Sequence, residues 1–137
     1  MKMISIDRAA AKDALKQVFD QGRERLAAGY WVVIFPEGTR VAPGETERYK
    51  PGGAHLAVRS AAKVVPVAHN AGEVWKKGRF AISPGLITIS IGPAIDPAGK
   101  TAVKINALAS AWIEAEMRRL SPHRYRAADA ADAVAAV

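Results

Sequence analysis

One apolar run constrains the fold of this chain more than any other stretch. Residues 31–35 read Trp-Val-Val-Ile-Phe, all of them β-branched or aromatic, and Pro36 follows directly. Such a run predicts a strand that is buried on both faces, as in the middle of a parallel sheet. Proline ends the strand, because it has no backbone N–H to donate to a sheet and it fixes its own φ. We therefore expect a central buried strand with a turn directly after it.

The turn after Pro36 carries residue types that suit the binding of an anion or a hydroxyl group. Its sequence is Glu37-Gly38-Thr39-Arg40. Gly38 allows positive φ and a close approach of ligand to backbone. The planar guanidinium of Arg40 can make two parallel hydrogen bonds to a phosphate, and Glu37 can accept hydrogen bonds from hydroxyls or fix Arg40. An ordinary strand-to-loop turn with a surface Glu–Arg pair would explain the same residue types.

Apolar spacing predicts the surrounding elements. A short strand at 3–6, a helix over 9–28 that stops at Gly29, and the strand at 31–35 form a βαβ unit, for which parallel pairing and a right-handed crossover are the rule. Further strands are predicted at 64–68 and 86–91, with helices from about 52 to 63 and from a Thr101 cap to about Leu120. The expected fold class is α/β, with a central, largely parallel sheet flanked by helices.

Composition narrows the classes of function. The chain has 137 residues, enough for one domain, and no cysteine, which excludes disulfides, thiol catalysis and thiolate metal sites. No apolar run approaches the roughly 18 residues that read as a membrane-spanning helix, and no signal peptide is visible. The net charge of +7 favours anionic partners: lipid headgroups, nucleic acid or phosphorylated substrates. No recognisable nucleic-acid motif accompanies it, so we expect no specific nucleic-acid partner.

The string Phe35-Pro36-Glu37-Gly38-Thr39-Arg40 resembles the third motif of the glycerolipid acyltransferases, the family that includes lysophosphatidate acyltransferase. In that family the Glu, Gly and Arg of the motif contribute to binding the glycerol-phosphate acceptor. Three other segments resemble further parts of the family pattern, over residues 2 to about 121. They are the end of the second motif at 4–8, the basic glycine-rich segment at 49–53, and the fourth motif at 64–68.

The resemblance implies an acceptor-binding site. The arginine of the second motif, implicated in phosphate binding, corresponds to Arg8. Lys50 stands beside the glycines that begin a predicted helix, where free N–H groups and the helix dipole attract anions. A plain glycine turn with exposed basic residues is the alternative, and the position of Lys50 just downstream of the Glu37–Arg40 turn favours a functional role. The candidate substrate-binding residues are Arg8, Glu37, Gly38, Thr39, Arg40 and Lys50.

The first motif of the family, a histidine followed after four residues by an aspartate, has no counterpart. The fifth residues after His55, His69 and His123 are serine, valine and alanine. In the family this histidine is the general base and the aspartate orients it, so no catalytic residue is named here. His69, at a predicted strand end, lacks an evident acidic partner. We expect the C-terminal part of an acyltransferase domain at 1–121 and a low-complexity Ala/Asp tail at 122–137.

The resemblance implies transfer of a fatty acyl group to a lysophosphatidate or glycerol-phosphate-type acceptor in phospholipid biosynthesis. The donor would be acyl-CoA or acyl carrier protein, with no metal or other cofactor, at the cytoplasmic face of a membrane. A non-catalytic phosphate- or anionic-lipid-binding remnant is the alternative, and nonspecific nucleic-acid binding is a third hypothesis. The loop at 73–84 mixes Trp75 and Phe80 with basic residues. This mixture suits peripheral membrane contact, although packing of both rings on the core is the simpler expectation.

Overall fold

The computed structural model describes residues 11–76, 78 and 80–125, so the strand predicted at 3–6 lies outside it. Within these residues the chain forms mainly helices and a small sheet. The elements in order are α1 (Ala11–Ala27), α2 (Gly52–Ser60), β1 (Val67–His69), α3 (Ala71–Val74), β2 (Ile89–Ile91) and α4 (Ala102–Leu120).

The sheet consists of β1 and β2, which pair antiparallel with Ala68 opposite Ser90. A separate bridge joins Val64 to Ile95. Three residue steps separate Val64 from Val67 on one side, whereas four separate Ile91 from Ile95 on the other. The Gly92 N–H still donates to the Pro66 carbonyl at 2.9 Å, so the extra residue falls between Gly92 and Ile95, and the chain bulges there, as strands do where one residue is left unpaired.

The predicted central parallel sheet is not observed in the described part of the chain. Residues 31–35 form neither helix nor paired strand, and the side chains of Trp31, Val33 and Phe35 are 86%, 74% and 72% exposed. The prediction that this run is buried is therefore wrong for the described residues. A strand needs a neighbouring strand with which to form backbone hydrogen bonds. The partner strand predicted at 3–6 lies outside the described residues.

The helix ends follow their local sequence. After α1, Gly29 takes a φ of 79°, and the N–H of Tyr30 donates to the carbonyl of Arg25 at 3.0 Å. This is the hydrogen-bond pattern by which a left-handed glycine satisfies the last carbonyls of a helix. At α4 the Thr101 side chain accepts from the N–H of Lys104 at 3.2 Å, as the sequence predicts for an N-cap.

The core lies where α4 meets α2 and the sheet. Ala54, Ala102 and Ile105 are buried together, with Val64 and Ile95 packed against them. Ile105 is only 1% exposed, and burial of such a side chain contributes roughly 1.5–3 kcal/mol. This packing holds α4 in place beside the neighbouring loops. None of the described helices is both long and apolar enough to cross a membrane.

Candidate functional site

The segment after Phe35 folds into a tight turn. The N–H of Gly38 donates to the carbonyl of Phe35 at 3.0 Å, and Gly38 takes a φ of 72°. A residue with a Cβ atom is strained in this left-handed region, so glycine is the residue that the turn requires. Thr39 and Arg40 follow on the exposed side of the turn, whereas Glu37 is half-buried.

Lys50 lies over this turn although it is twelve residues further along the chain. Its backbone N–H donates to the carbonyl of Pro36 at 2.8 Å. A Cβ atom added at Gly38 would collide with the Lys50 Nζ and would lie 3.1 Å from its Cε. The structure therefore brings Lys50 and Gly38 together, with the ammonium group seated against the turn.

The guanidinium of Arg40 lies over an aromatic ring of the loop after α3. Its Cζ is 5.7 Å from the centroid of Trp75, a cation–π contact worth about 0.5–1 kcal/mol at an exposed site. Trp75 is 53% exposed and Phe80 is 106% exposed. The expectation that both rings pack on the core is therefore wrong, because Phe80 is fully exposed and Trp75 is half exposed with Arg40 over its ring.

Tyr49 ties the turn region to helix α4. It is 7% exposed, and its hydroxyl donates to Glu114 Oε1 at 3.0 Å. The Asn106 side-chain N–H donates to the backbone carbonyl of Tyr49 at 3.3 Å. Sequence reasoning missed Asn106 and Glu114. Polar residues recur at 106, 110 and 114 along α4, and nothing in that pattern distinguishes the two that contact Tyr49.

The surroundings of Glu37 disfavour its charged form. Burial raises the pKa of Glu37, and the nearby carboxylates of Glu114 and Glu47 raise it further. Burial and then Glu114 also raise the pKa of Tyr49, so its hydroxyl stays protonated and remains a donor. Tyr125 behaves similarly, since burial followed by Glu114 raises the pKa of its phenol. Glu37 thus sits beside two acidic groups and two neutral phenols.

The chain after α4 packs beside Glu37 and Glu114. Tyr125 lies in a helical turn at 122–125 and is 6% exposed. The Arg118 Cζ is 4.9 Å from the centroid of its ring. Gly44 approaches the same turn so closely that an added Cβ would lie 2.9 Å from the Arg124 carbonyl oxygen. The loop between the Glu37 turn and Tyr49 is therefore packed against the end of the described chain.

In the described part of the chain neither His55 nor His69 pairs with a carboxylate, whereas His123 Nε2 lies 3.5 Å from Glu73 Oε1. His69 is exposed, and its Nδ1 accepts the backbone N–H of Ala71 at 3.3 Å. That bond places the proton of the neutral imidazole on Nε2. His55 is exposed on α2. Within the described ranges, no three His, Asp or Glu side chains are grouped so that they could hold a metal ion. Arg8 lies outside the described residues.

Comparison with known proteins gives the family. Residues 1–70 match the profile of the family described as Acyltransferase. The 1-acyl-sn-glycerol-3-phosphate acyltransferase of Pseudomonas aeruginosa is 43% identical over 129 residues, which cover 92% of this chain and 50% of that protein. The alpha enzyme of the same name from Mus musculus is 31% identical over 109 residues, covering 78% of this chain and 38% of the relative. The chain belongs to the acyltransferase family, as its motifs predict.

A solved structure shares the fold. The 1-acyl-sn-glycerophosphate acyltransferase PlsC from Thermotoga maritima superposes with a TM-score of 0.68 at 24% identity, over 79% of this chain and 44% of that one. At that identity the likeness concerns the fold alone. The chain spans about half the length of the first curated relative and less of the solved structure.

Proposed function

We propose that this chain supplies the acceptor-binding part of a 1-acylglycerol-3-phosphate acyltransferase. Such an enzyme transfers a fatty acyl group from acyl-CoA or acyl carrier protein to a lysophosphatidate or glycerol-phosphate-type acceptor. The family and the names of the relatives support the reaction class. The observation that carries the site is the Lys50 ammonium seated over Gly38 in the Glu37–Arg40 turn.

The roles follow from the chemistry of each group. Lys50 offers a point charge to the acceptor phosphate, and Arg40 offers a planar fork that can bind two phosphate oxygens. Gly38 lets the Lys50 ammonium lie against the backbone of the turn, and the Thr39 hydroxyl is a further donor in the same turn. Glu37 accepts a hydrogen bond from a glycerol hydroxyl. Arg8 remains a prediction, carried by the motif alone.

No residue of this chain is assigned as the catalytic base. The His-x4-Asp pattern is absent from its sequence, and general-base assistance typically contributes about 10²- to 10⁴-fold to a rate. We therefore expect the purified chain to release no CoA thiol above the blank with lysophosphatidate and a long-chain acyl-CoA. Phosphate binding without turnover is the behaviour of the alternative, a non-catalytic remnant. Saturable turnover that His69→Ala abolishes would instead make His69 the base.

Two exposed apolar segments lie outside the turn itself. The exposed apolar run at 31–35 is treated as a strand of a larger, largely parallel sheet, since exposed apolar surface of this kind needs cover. The exposed side chains of the loop after α3 are treated as a peripheral contact with an anionic membrane at its cytoplasmic face. The net charge of +7 supports that attraction. No metal or other cofactor enters the proposal.

The binding site is tested by titrating glycerol-3-phosphate into the folded chain by calorimetry. Lys50→Gln removes the ammonium over the turn, and we expect affinity to fall about tenfold or more, because hydrogen bonds to charged groups contribute roughly 1.5–3 kcal/mol. Lys63→Gln is the matched control, since it makes the same charge change beyond the other end of α2, where Lys63 is also exposed. Equal losses of affinity in both variants would show that the effect comes from net charge alone and that Lys50 does not belong to the site.

A further inference from the structure

A continuous path of hydrogen bonds runs from α4 to the turn. The Tyr49 hydroxyl bonds Glu114 at 3.0 Å, and the Tyr49 carbonyl accepts from Asn106 at 3.3 Å. The next residue, Lys50, donates its backbone N–H to Pro36 at 2.8 Å. Each end of the Tyr49 residue is therefore held by α4, and the residue that follows is bound to the turn.

We infer that Asn106 and Glu114 are positioning residues of the acceptor site: through Tyr49 they hold Lys50 against the Gly38 turn. The inference rests on the proposed function, in which Lys50 and the turn bind phosphate together. Neither α4 residue belongs to a motif that the sequence analysis singled out. Their effect on a ligand is transmitted by the backbone of Tyr49 and Lys50.

Helix α4 is packed into the core, whereas the Lys50 side chain is exposed. Lys50 is exposed, and a lysine has a long stem that rotates freely unless its backbone is fixed. Asn106 follows Ile105, which is 1% exposed in the core, and α4 begins at a capped Thr101. A ligand group carried by packed elements is held more precisely than one carried by a loop alone. Anchoring through α4 thus lowers the freedom that Lys50 must lose when it binds.

Glu114 also acts on the turn through its charge. Its carboxylate is one of the two that raise the pKa of Glu37 beyond the effect of burial. Glu47 is the other carboxylate, and the phenols of Tyr49 and Tyr125 also lie close to Glu37. Glu114 Oε2 is buried without a hydrogen-bond partner in the described part of the chain. A substitution at Glu114 therefore changes both a hydrogen bond and a charge, and the two effects need separate variants.

The first test measures amide hydrogen exchange at Lys50 in the free protein. Tyr49→Phe and Asn106→Leu each remove one bond of the path. We expect exchange of the Lys50 N–H to rise about fivefold or more in each, the factor that corresponds to one lost hydrogen bond. The N–H of Val64, bonded to the Ile95 carbonyl at 3.0 Å, reports on the core and should not change. A merely structural role would raise exchange at both amides equally.

Glu114→Gln removes a charge but keeps the hydrogen bond, whereas Tyr49→Phe removes the bond and leaves the Glu114 charge. Glu114→Gln keeps an oxygen that the Tyr49 hydroxyl can bond, so Lys50 exchange should stay near the wild-type rate. Glu116→Gln is the matched control, because its carboxylate bonds Ser90 and Arg119 instead of Tyr49. It should leave Lys50 unchanged as well. Unchanged Lys50 exchange in Tyr49→Phe and Asn106→Leu would overturn the inference.

The second test adds glycerol-3-phosphate by calorimetry and separates the inference from the function on which it rests. We expect the wild type to bind and Tyr49→Phe to bind several-fold more weakly. If the wild type binds and Tyr49→Phe binds equally well, the positioning role is wrong although the proposed function stands. If the wild type does not bind, the proposed function fails, and the exchange rates alone decide whether α4 holds Lys50.

Discussion

Glu37, in the candidate site, is a half-buried carboxyl group whose charged form costs stability. Its pKa is raised above the ordinary value of 4.5, first by burial and then by Glu114 and Glu47. The folded protein therefore holds this proton more tightly than the unfolded chain does. Between the two pKa values stability rises as pH falls, and above the folded-state pKa the charged carboxylate costs stability.

Substitution of Glu37 tests whether its charged carboxylate lowers the stability of the folded protein. We expect Glu37→Gln to raise the melting temperature at pH 7, because the amide has no charge to desolvate, and the difference should shrink as pH falls toward 4.5. Calorimetric titration should show weaker glycerol-3-phosphate binding by the same variant. Glu45→Gln, in the exposed loop nearby, is the control and should change neither quantity. A melting temperature that Glu37→Gln leaves unchanged at pH 7 would show that the carboxylate is not destabilised.

Gly38 separates backbone strain from contact with Lys50. Gly38→Ala and Gly99→Ala both place a Cβ atom on a residue with positive φ, 72° and 67° respectively. Each should lose about 1–2 kcal/mol of stability in urea unfolding. Only at Gly38 would the Cβ meet Lys50, since nothing lies within 4 Å of a Cβ at Gly99. Loss of glycerol-3-phosphate binding in Gly38→Ala alone is the expected result, and equal binding by the two variants would contradict it.

At the scale of elements, the sequence predicts what depends on neighbours in the chain. The end of α1 at Gly29 and the cap of α4 at Thr101 are local features, so a few residues suffice to predict them. The pairing of residues 31–35 is not local, because it depends on a second strand. Helix α2 ends at Ser60, before the predicted 63, because Ala61 adopts a left-handed φ of 49° that its residue type does not announce.

The environment of the loop after α3 also could not be predicted from its local sequence, and it can be tested. Its aromatic and basic residues fit either a core or a surface role, and only the fold shows that Phe80 is fully exposed. We expect Phe80→Ser to change stability by no more than about 0.5 kcal/mol and to reduce sedimentation with phosphatidate-rich vesicles. Val103→Ser removes another exposed apolar side chain, on α4, and serves as the control. Equal vesicle binding by the two variants would exclude the loop from the membrane contact.

For the whole molecule, the family could be predicted from one hexapeptide, whereas the assembly of the site could not. The turn at 36–40 and Lys50 lie close enough in sequence for a motif to include both. Glu114 is 65 residues from Tyr49, and Tyr125 is further still, so their approach to Glu37 depends on how α4 packs. The sequence therefore predicts the candidate residues of the turn and misses Asn106 and Glu114, whose contacts depend on packing.

The central claim is that the turn at 36–40, with Lys50 above it, binds the phosphate of the acceptor. It is tested most directly by calorimetric titration of glycerol-3-phosphate into the wild type, Arg40→Lys and Arg59→Lys, after circular dichroism shows that all three are folded. Arg59 is an exposed arginine on α2, stacked over Phe19 at 4.7 Å, and controls for the loss of a guanidinium elsewhere. We expect saturable binding that Arg40→Lys weakens about tenfold or more and Arg59→Lys leaves unchanged, because only a guanidinium makes two parallel hydrogen bonds to a phosphate. Equal affinities in all three proteins would contradict the claim and leave the motif as an ordinary turn.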